Sequence, residues 1–231
     1  MYHGDSMIRL PFRDGFYGVN PSKIICLGRN YAEHAKELGH EAPKEPVIFL
    51  KPPSALIGPN QTIILPRKSR EVHHEVELAV IVGKRGKDIP RERAMDYVLG
   101  YTIFMDITAR DLQSEAKKKG LPWTVAKGFD TFAPIGPRIV PKEELDPSDL
   151  EIGLRVNGEV RQLSRTSKMI FKIPEIIEYI SSIMTLEKGD IIATGTPEGV
   201  GPLRHGDIVE AWIEGIGVLK ENVLAEKSIL C

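Results

Sequence analysis

A chain of 231 residues, 42% of them hydrophobic, can bury a sizeable core in one large domain or two small ones. A net charge of −1 offers no general field for nucleic acid or an anionic membrane surface, and no apolar run approaches the length of a membrane span. Two cysteines, Cys26 and Cys231, cannot make a disulfide framework, and the N-terminus lacks the apolar stretch of a signal peptide, so a cytoplasmic protein with no nucleic-acid or membrane partner is expected. Charged residues reach 27% while Asn and Gln are scarce, which leans toward a heat-adapted source.

Residues 1–20 carry scattered Gly and Pro and read as a short N-terminal extension or lid. "KIICLG" is predicted as a buried strand, and "NYAEHAKELG" as a short helix closed by Gly39. "PVIFLKPPSALIG" runs from a strand into Pro-rich turns. "VHHEVELAVIVG", Val72 to Gly83, is the next strand, and "PRERAMDYVLG" reads as a helix between Pro90 and Gly100. "YTIFMDIT" is another apolar strand, followed by "ARDLQSEAKKKG" as a polar helix or lid. "EIGLRVNGEVRQLS" is a hairpin with a type I′ turn at Asn157-Gly158. "KIPEIIEYISSIMTLEKG" is an amphipathic helix. It leads to the strand "DIIATG", the loop "TPEGVGPLRHGD" and a last hairpin, "IVEAWIEGIGVLKENVLAE". Strands outnumber helices and do not alternate with them, so the expected class is a mixed, strand-rich α+β domain.

Two apolar strands carry acids where acids are costly. Glu75 and Glu77 lie two apart in the first and point the same way, as does His73. Asp106 interrupts the second. If the strands are neighbours, three carboxylates meet in one pocket, where a cation must offset them. An oxygen-only set suits Mg²⁺, Mn²⁺ or Ca²⁺ better than zinc, and three protein ligands leave positions open for water or substrate. The alternative is that the acids pair with lysines or face solvent at strand ends. His73 and His74 are more simply residues that hold a carboxylate in place than ligands. Cys26 reads as a small buried residue.

"HHEVEL", Asp106 in "MDITARD", "KKKGLPWTVAKGFD" and "ATGTPEGVGP" follow one another in an order that closely resembles the fumarylacetoacetate hydrolase family, from about Lys23 to about Ala225. The closest resemblance is to its small single-domain branch of acylpyruvate hydrolases and oxaloacetate decarboxylases. It implies a mixed β-roll over 21–231 as the catalytic domain, and a homodimer or larger assembly. It further implies that Glu75, Glu77 and Asp106 bind a divalent ion, commonly Mg²⁺ or Mn²⁺, with Ca²⁺ as a substitute.

The family also carries a His–Glu pair near the N-terminus, matched here by His34 and Glu37 in "GRNYAEHAKELG". Three apart, they share a helix face. A carboxylate beside an imidazole fixes its tautomer, as a water-activating base requires; by spacing alone the two are an ordinary exposed helix pair. Lys127 corresponds to the family's active-site lysine. Arg110 and Gln113 match its substrate-contacting lid segment. Thr196 matches the pocket loop, and its hydroxyl or backbone N–H is expected to hold a substrate carboxylate. Lys51, in "KPPSALIG", is a weaker contributor. No Gly-Lys-Ser/Thr follows the glycines of "ATGTPEGVGP", which argues against a phosphate loop and leaves a tight turn between strands as the plain alternative.

The resemblance implies a metal-dependent enzyme acting on a small 2-oxo acid. It would hydrolyse the C–C bond of acylpyruvates such as fumarylpyruvate or acetylpyruvate, or decarboxylate oxaloacetate. The alternatives are a 2-hydroxyhepta-2,4-diene-1,7-dioate isomerase/decarboxylase and a non-catalytic 2-oxo acid binder.

Overall fold

The computed structural model describes residues 7–37 and 42–227. In chain order the strands are β1 (Ile8–Phe12), β2 (Gly15–Val19), β3 (Ile24–Gly28), β4 (Val47–Lys51), β5 (Leu56–Ile57), β6 (Thr62–Leu65), β7 (Val72–His74), β8 (Val76–Val82) and β9 (Val98–Met105). They continue with β10 (Thr108–Ala109), β11 (Ala133–Pro141), β12 (Glu151–Val156), β13 (Glu159–Arg165), β14 (Ile191–Ala193), β15 (Gly201–Pro202), β16 (Ile208–Ile213) and β17 (Gly217–Ala225). The helices are α1 (Ala32–Glu37), α2 (Arg110–Lys118), α3 (Thr124–Lys127) and α4 (Ile173–Ile183). No helix among the described residues is long and apolar enough to cross a membrane.

A seven-stranded mixed sheet in the order β4-β3-β14-β8-β9-β11-β5 faces a five-stranded sheet, β13-β12-β16-β17-β6. A small sheet, β10-β7-β15, closes one end. This is the strand-rich α+β roll that the sequence predicts. Every residue of β8 is buried, because it lies at the centre of the large sheet with both faces covered. Ile173, Ile176, Ile177 and Ile180 of α4 enter the main core, where the 3.6-residue period places them. The β12–β13 turn has Asn157 at φ 52° and Gly158 at φ 83°, the two positive values a type I′ turn requires.

Three expectations need correction. The strand predicted across Val72–Gly83 is two strands that part at Glu75, β7 entering the small sheet and β8 the large one. The helix predicted from Pro90 is a 3₁₀ turn at Arg91–Tyr97, because Val98 and the residues after it are drawn into β9. Residues 8–19 form a hairpin, not a lid: Leu10 and Val19 are buried beside Ile24, Cys26 and Ile135. Gly39 and Cys231 lie outside the described residues; Cys26 is buried, as expected.

One acid far from the others is costly. Glu221 on β17 is fully buried and neither carboxylate oxygen has a hydrogen-bond partner. Burial pushes its pKa up to about 8. The folded chain therefore holds this proton more tightly than the unfolded one. Stability is full below about pH 4.3 and falls as pH rises toward 8, by on the order of a few kcal/mol. Glu221→Gln should flatten that loss: calorimetry at pH 6 and pH 9 is expected to show the variant less pH-sensitive than wild type and more stable at pH 9. Identical pH profiles would mean the carboxyl is not buried alone.

Candidate active site

Strands β8 and β9 are antiparallel neighbours, with Val76 opposite Met105 and Glu77 opposite Phe104. The Asp106 N–H donates to the Glu75 carbonyl at 2.8 Å, which pins the end of β9 to the break between β7 and β8. Glu75, Glu77 and Asp106 are all buried, and each offers a carboxylate oxygen within 4.8 Å of the others.

Their surroundings treat them unequally. Lys127 Nζ donates to Glu75 Oε2 at 3.0 Å, to Asp106 Oδ2, and to Thr108 Oγ1 at 2.6 Å. Lys51 Nζ donates to Asp106 Oδ1 at 2.6 Å and to the Ile107 carbonyl at 2.9 Å. Arg110 donates to the remaining oxygen of Glu75. The pairing with lysines that the sequence left open is thus present for Asp106 and Glu75. Burial alone would raise the Glu75 pKa, but Lys127 and Arg110 outweigh it and hold it well below the usual range. Glu77 has no cationic partner among the described residues and takes one hydrogen bond, from the Gly195 N–H at 2.8 Å. Burial, then the charges of Asp106 and Glu75, push its pKa well up. A divalent cation among these oxygens would supply the missing charge at Glu77, and the all-carboxylate donor set fits Mg²⁺ or Mn²⁺.

Helix α1 brings His34 to a cavity that Glu75 also lines. His34 is buried, and its Nδ1 lies 3.2 Å from Glu37 Oε2. Glu37 also accepts the Gly199 N–H at 3.1 and 3.2 Å, which ties α1 to the Gly-rich loop. A carboxylate only accepts, so Nδ1 carries a proton, and in the neutral ring Nε2 then holds the lone pair. The cavity wall includes His34, Glu75, Lys127 and Thr196, with Arg110 and Gln113 beside them. The residues proposed from sequence for three roles therefore converge on one space.

Of the supports around the cluster, Gln162 escaped the sequence reading, and others that it named take further roles. Arg110 is spent on the cluster: besides Glu75 it donates to Gln113 Oε1 at 2.6 Å and to His73 Nδ1 at 3.3 Å. His73 is paired with Glu71, so it reaches Glu75 only through Arg110. Burial pulls His74 down to about 4, and its neutral ring meets Gln162 Oε1 at 3.1 Å. Gln162, hidden in the β13 strand, also accepts the Val76 N–H and donates to Thr196 Oγ1 at 2.8 Å. It joins the acid-bearing strand to the pocket loop. Gln162 alternates with exposed Arg161 and Leu163, and that inward register was the available signal. Lys51 ends an otherwise apolar strand, and complete burial of such a lysine requires an acid beside it.

A strand-rich roll whose three buried acids could hold a divalent metal beside a histidine-lined cavity has the make-up of a small-molecule enzyme. The comparisons make the class specific. Residues 23–224 match the family model for the fumarylacetoacetate (FAA) hydrolase C-terminal region, and the chain belongs to that family. Oxaloacetate tautomerase FAHD1, mitochondrial, of Arabidopsis thaliana is 52% identical over 219 residues, 94% of this chain and 95% of that protein. Oxaloacetate decarboxylase, mitochondrial, of Dictyostelium discoideum is 52% identical over 196 residues, 84% of this chain and 89% of that one. The crystal structure of fumarylpyruvate hydrolase from Pseudomonas aeruginosa in complex with Mn²⁺ and pyruvate has a TM-score of 0.88 at 36% identity, covering 98% of this chain and 99% of that chain.

Proposed function

We propose that the chain is a divalent-metal-dependent hydrolase that cleaves acylpyruvate-type 2,4-dioxo acids to pyruvate and a carboxylic acid. The observation that carries this reading is buried His34, paired with Glu37, on the wall of a cavity that also reaches Glu75 of the acid cluster. Glu75, Glu77 and Asp106 would hold Mg²⁺ or Mn²⁺, which when bound supplies Lewis-acid stabilisation of enolate charge.

The chain's own groups supply the rest. His34 Nε2 takes a proton from water, whose oxygen attacks the distal C4 carbonyl. Glu37 holds the ring in the tautomer that this step needs. The C3–C4 bond then breaks, its electron pair stays with the pyruvate fragment as the enolate, and protonation at C3 gives pyruvate. Lys127 places a cation beside the pocket where negative charge develops. Thr196 Oγ1 already accepts from Gln162, so its proton is free for a substrate carboxylate. The Gln113 carbonyl oxygen is held by Arg110, which leaves its NH₂ to donate.

A second reading, decarboxylation or keto–enol interconversion of oxaloacetate, is supported by the names of the relatives from Dictyostelium discoideum and Arabidopsis thaliana. Decarboxylation passes through the same pyruvate enolate, interconversion through the enolate of oxaloacetate itself, and neither needs an attacking water. A panel of acetylpyruvate, fumarylpyruvate and oxaloacetate, each with Mg²⁺ and with a chelator, tests both. Mg²⁺-dependent release of pyruvate from an acylpyruvate is expected. Turnover of oxaloacetate alone would replace the first reading with the second, and silence on all three would overturn both.

A further inference from the structure

Four long-chain cations line the cavity: Arg29, Arg110, Lys117 and Lys127. Arg110 and Lys127 are committed to Glu75, and Lys127 to Asp106 as well. Arg29 and Lys117 have no anionic partner among the described residues. Arg29 sits in the turn between β3 and α1 at φ 59°, a left-handed conformation that aims the chain sharply after Gly28. Its Nε is buried with no hydrogen-bond partner. A guanidinium N–H left so is costly unless a ligand completes it.

Lys117 projects from α2, its ammonium 5.2 Å from the centre of the Trp123 ring. Trp123 in turn packs on Phe49 at 5.5 Å, and a Cβ at Gly28 would stand 3.3 Å from its ring. Both cations line the same cavity. Burial, then Arg110, bring Lys117 down to about 8, with Arg29 contributing. The cavity thus carries, besides the two cations committed to acids, two cations with no anionic partner, one of them against an aromatic wall.

We propose that Arg29 and Lys117 form a distal anion subsite, through which the pocket selects 2-oxo acids bearing a second carboxylate over chains that end in an uncharged group. The inference rests on the proposed function in one respect: the 2-oxo acid head group lies at the acid cluster. The chain between the two ends lies along Phe49 and Trp123, and the planarity of an enol or conjugated diacid suits that wall.

Calorimetric titration of the Mg²⁺-loaded protein with 2-oxoadipate and with 2-oxohexanoate isolates the second carboxylate without turnover. Wild type is expected to bind the diacid about 10- to 100-fold more tightly, as one or two charge-assisted hydrogen bonds allow. Arg29→Gln and Lys117→Met should each remove a large part of that preference, and the double variant nearly all of it. Oxalate, which supplies only a head group, keeps its affinity in a folded double variant. No preference in wild type, or a preference that survives the double change, would overturn the subsite. Loss of oxalate binding in the double variant would also overturn it, since the residues would then be supporting the head-group end. Hydrolase failure reads out separately: a protein inert toward acylpyruvates that still prefers 2-oxoadipate retains the subsite and loses only the proposed reaction.

Discussion

Glu77→Ala is expected to weaken Mg²⁺ binding by at least about 100-fold, a loss beyond what supporting residues around a metal site cost. Stability should move the other way. Without metal, Glu77 is a buried carboxylate with no cationic partner, pressed by Glu75 and Asp106. Its removal relieves a charge that burial penalises, so the metal-free variant should melt no lower than metal-free wild type. Wild type should gain melting temperature on Mg²⁺ addition, since an ion that binds only the folded state stabilises it, and the variant should not. Titration calorimetry and thermal melts on chelator-treated protein check both arms. A purely structural acid would give the opposite pair: a lower melting point without metal and an undiminished response to Mg²⁺.

His34→Ala should lose about 10²–10⁴ in the rate of acylpyruvate hydrolysis, the usual contribution of a general base, and keep its Mg²⁺ affinity. The ring belongs to α1, has its hydrogen bond to Glu37, and is not among the clustered acids. Oxaloacetate decarboxylation needs no attacking water and should fall less. The two rates measured on one variant separate the roles. Equal losses would make His34 a residue that positions substrate, and no loss in either would leave the His34–Glu37 pair without a chemical part.

How much of this could be read from the chain depends on which interactions are local. Acids set in apolar strands are visible because the cost of burying them is a property of the stretch itself, and "VHHEVEL" and "FMDIT" pointed to a shared pocket on the condition that the two strands were neighbours. The Asn157-Gly158 turn was legible for the same reason: only residues that tolerate positive φ fit there. The split at Glu75 was not. Period-two alternation continues across it, and only the competing partners, β10 and β15 on one side and β9 and β14 on the other, divide the strand. Gln162 and Arg29 were missed because neither is unusual in its neighbourhood. One gains its meaning from Val76, His74 and Thr196, the other from Lys117, all of them distant in sequence. The expected shape of α2 as a polar helix held, but its Arg110 proved to brace Glu75.

The turn between β12 and β13 has a consequence over longer times. Asn followed by Gly is the dipeptide most open to slow loss of the side-chain amide, because the unhindered glycine nitrogen can attack the carboxamide carbon. A composition that spends little on Asn keeps one here, where the type I′ geometry demands it. The carboxamide is clamped at both ends: Nδ2 donates to Asp207 Oδ1 at 2.8 Å, and Oδ1 accepts the Ile208 N–H at 2.9 Å. Held toward the β15–β16 loop, it is turned to a task other than meeting Gly158. The hairpin that carries Gln162 to the pocket loop thereby gains chemical durability, from a contact that lies outside the cavity.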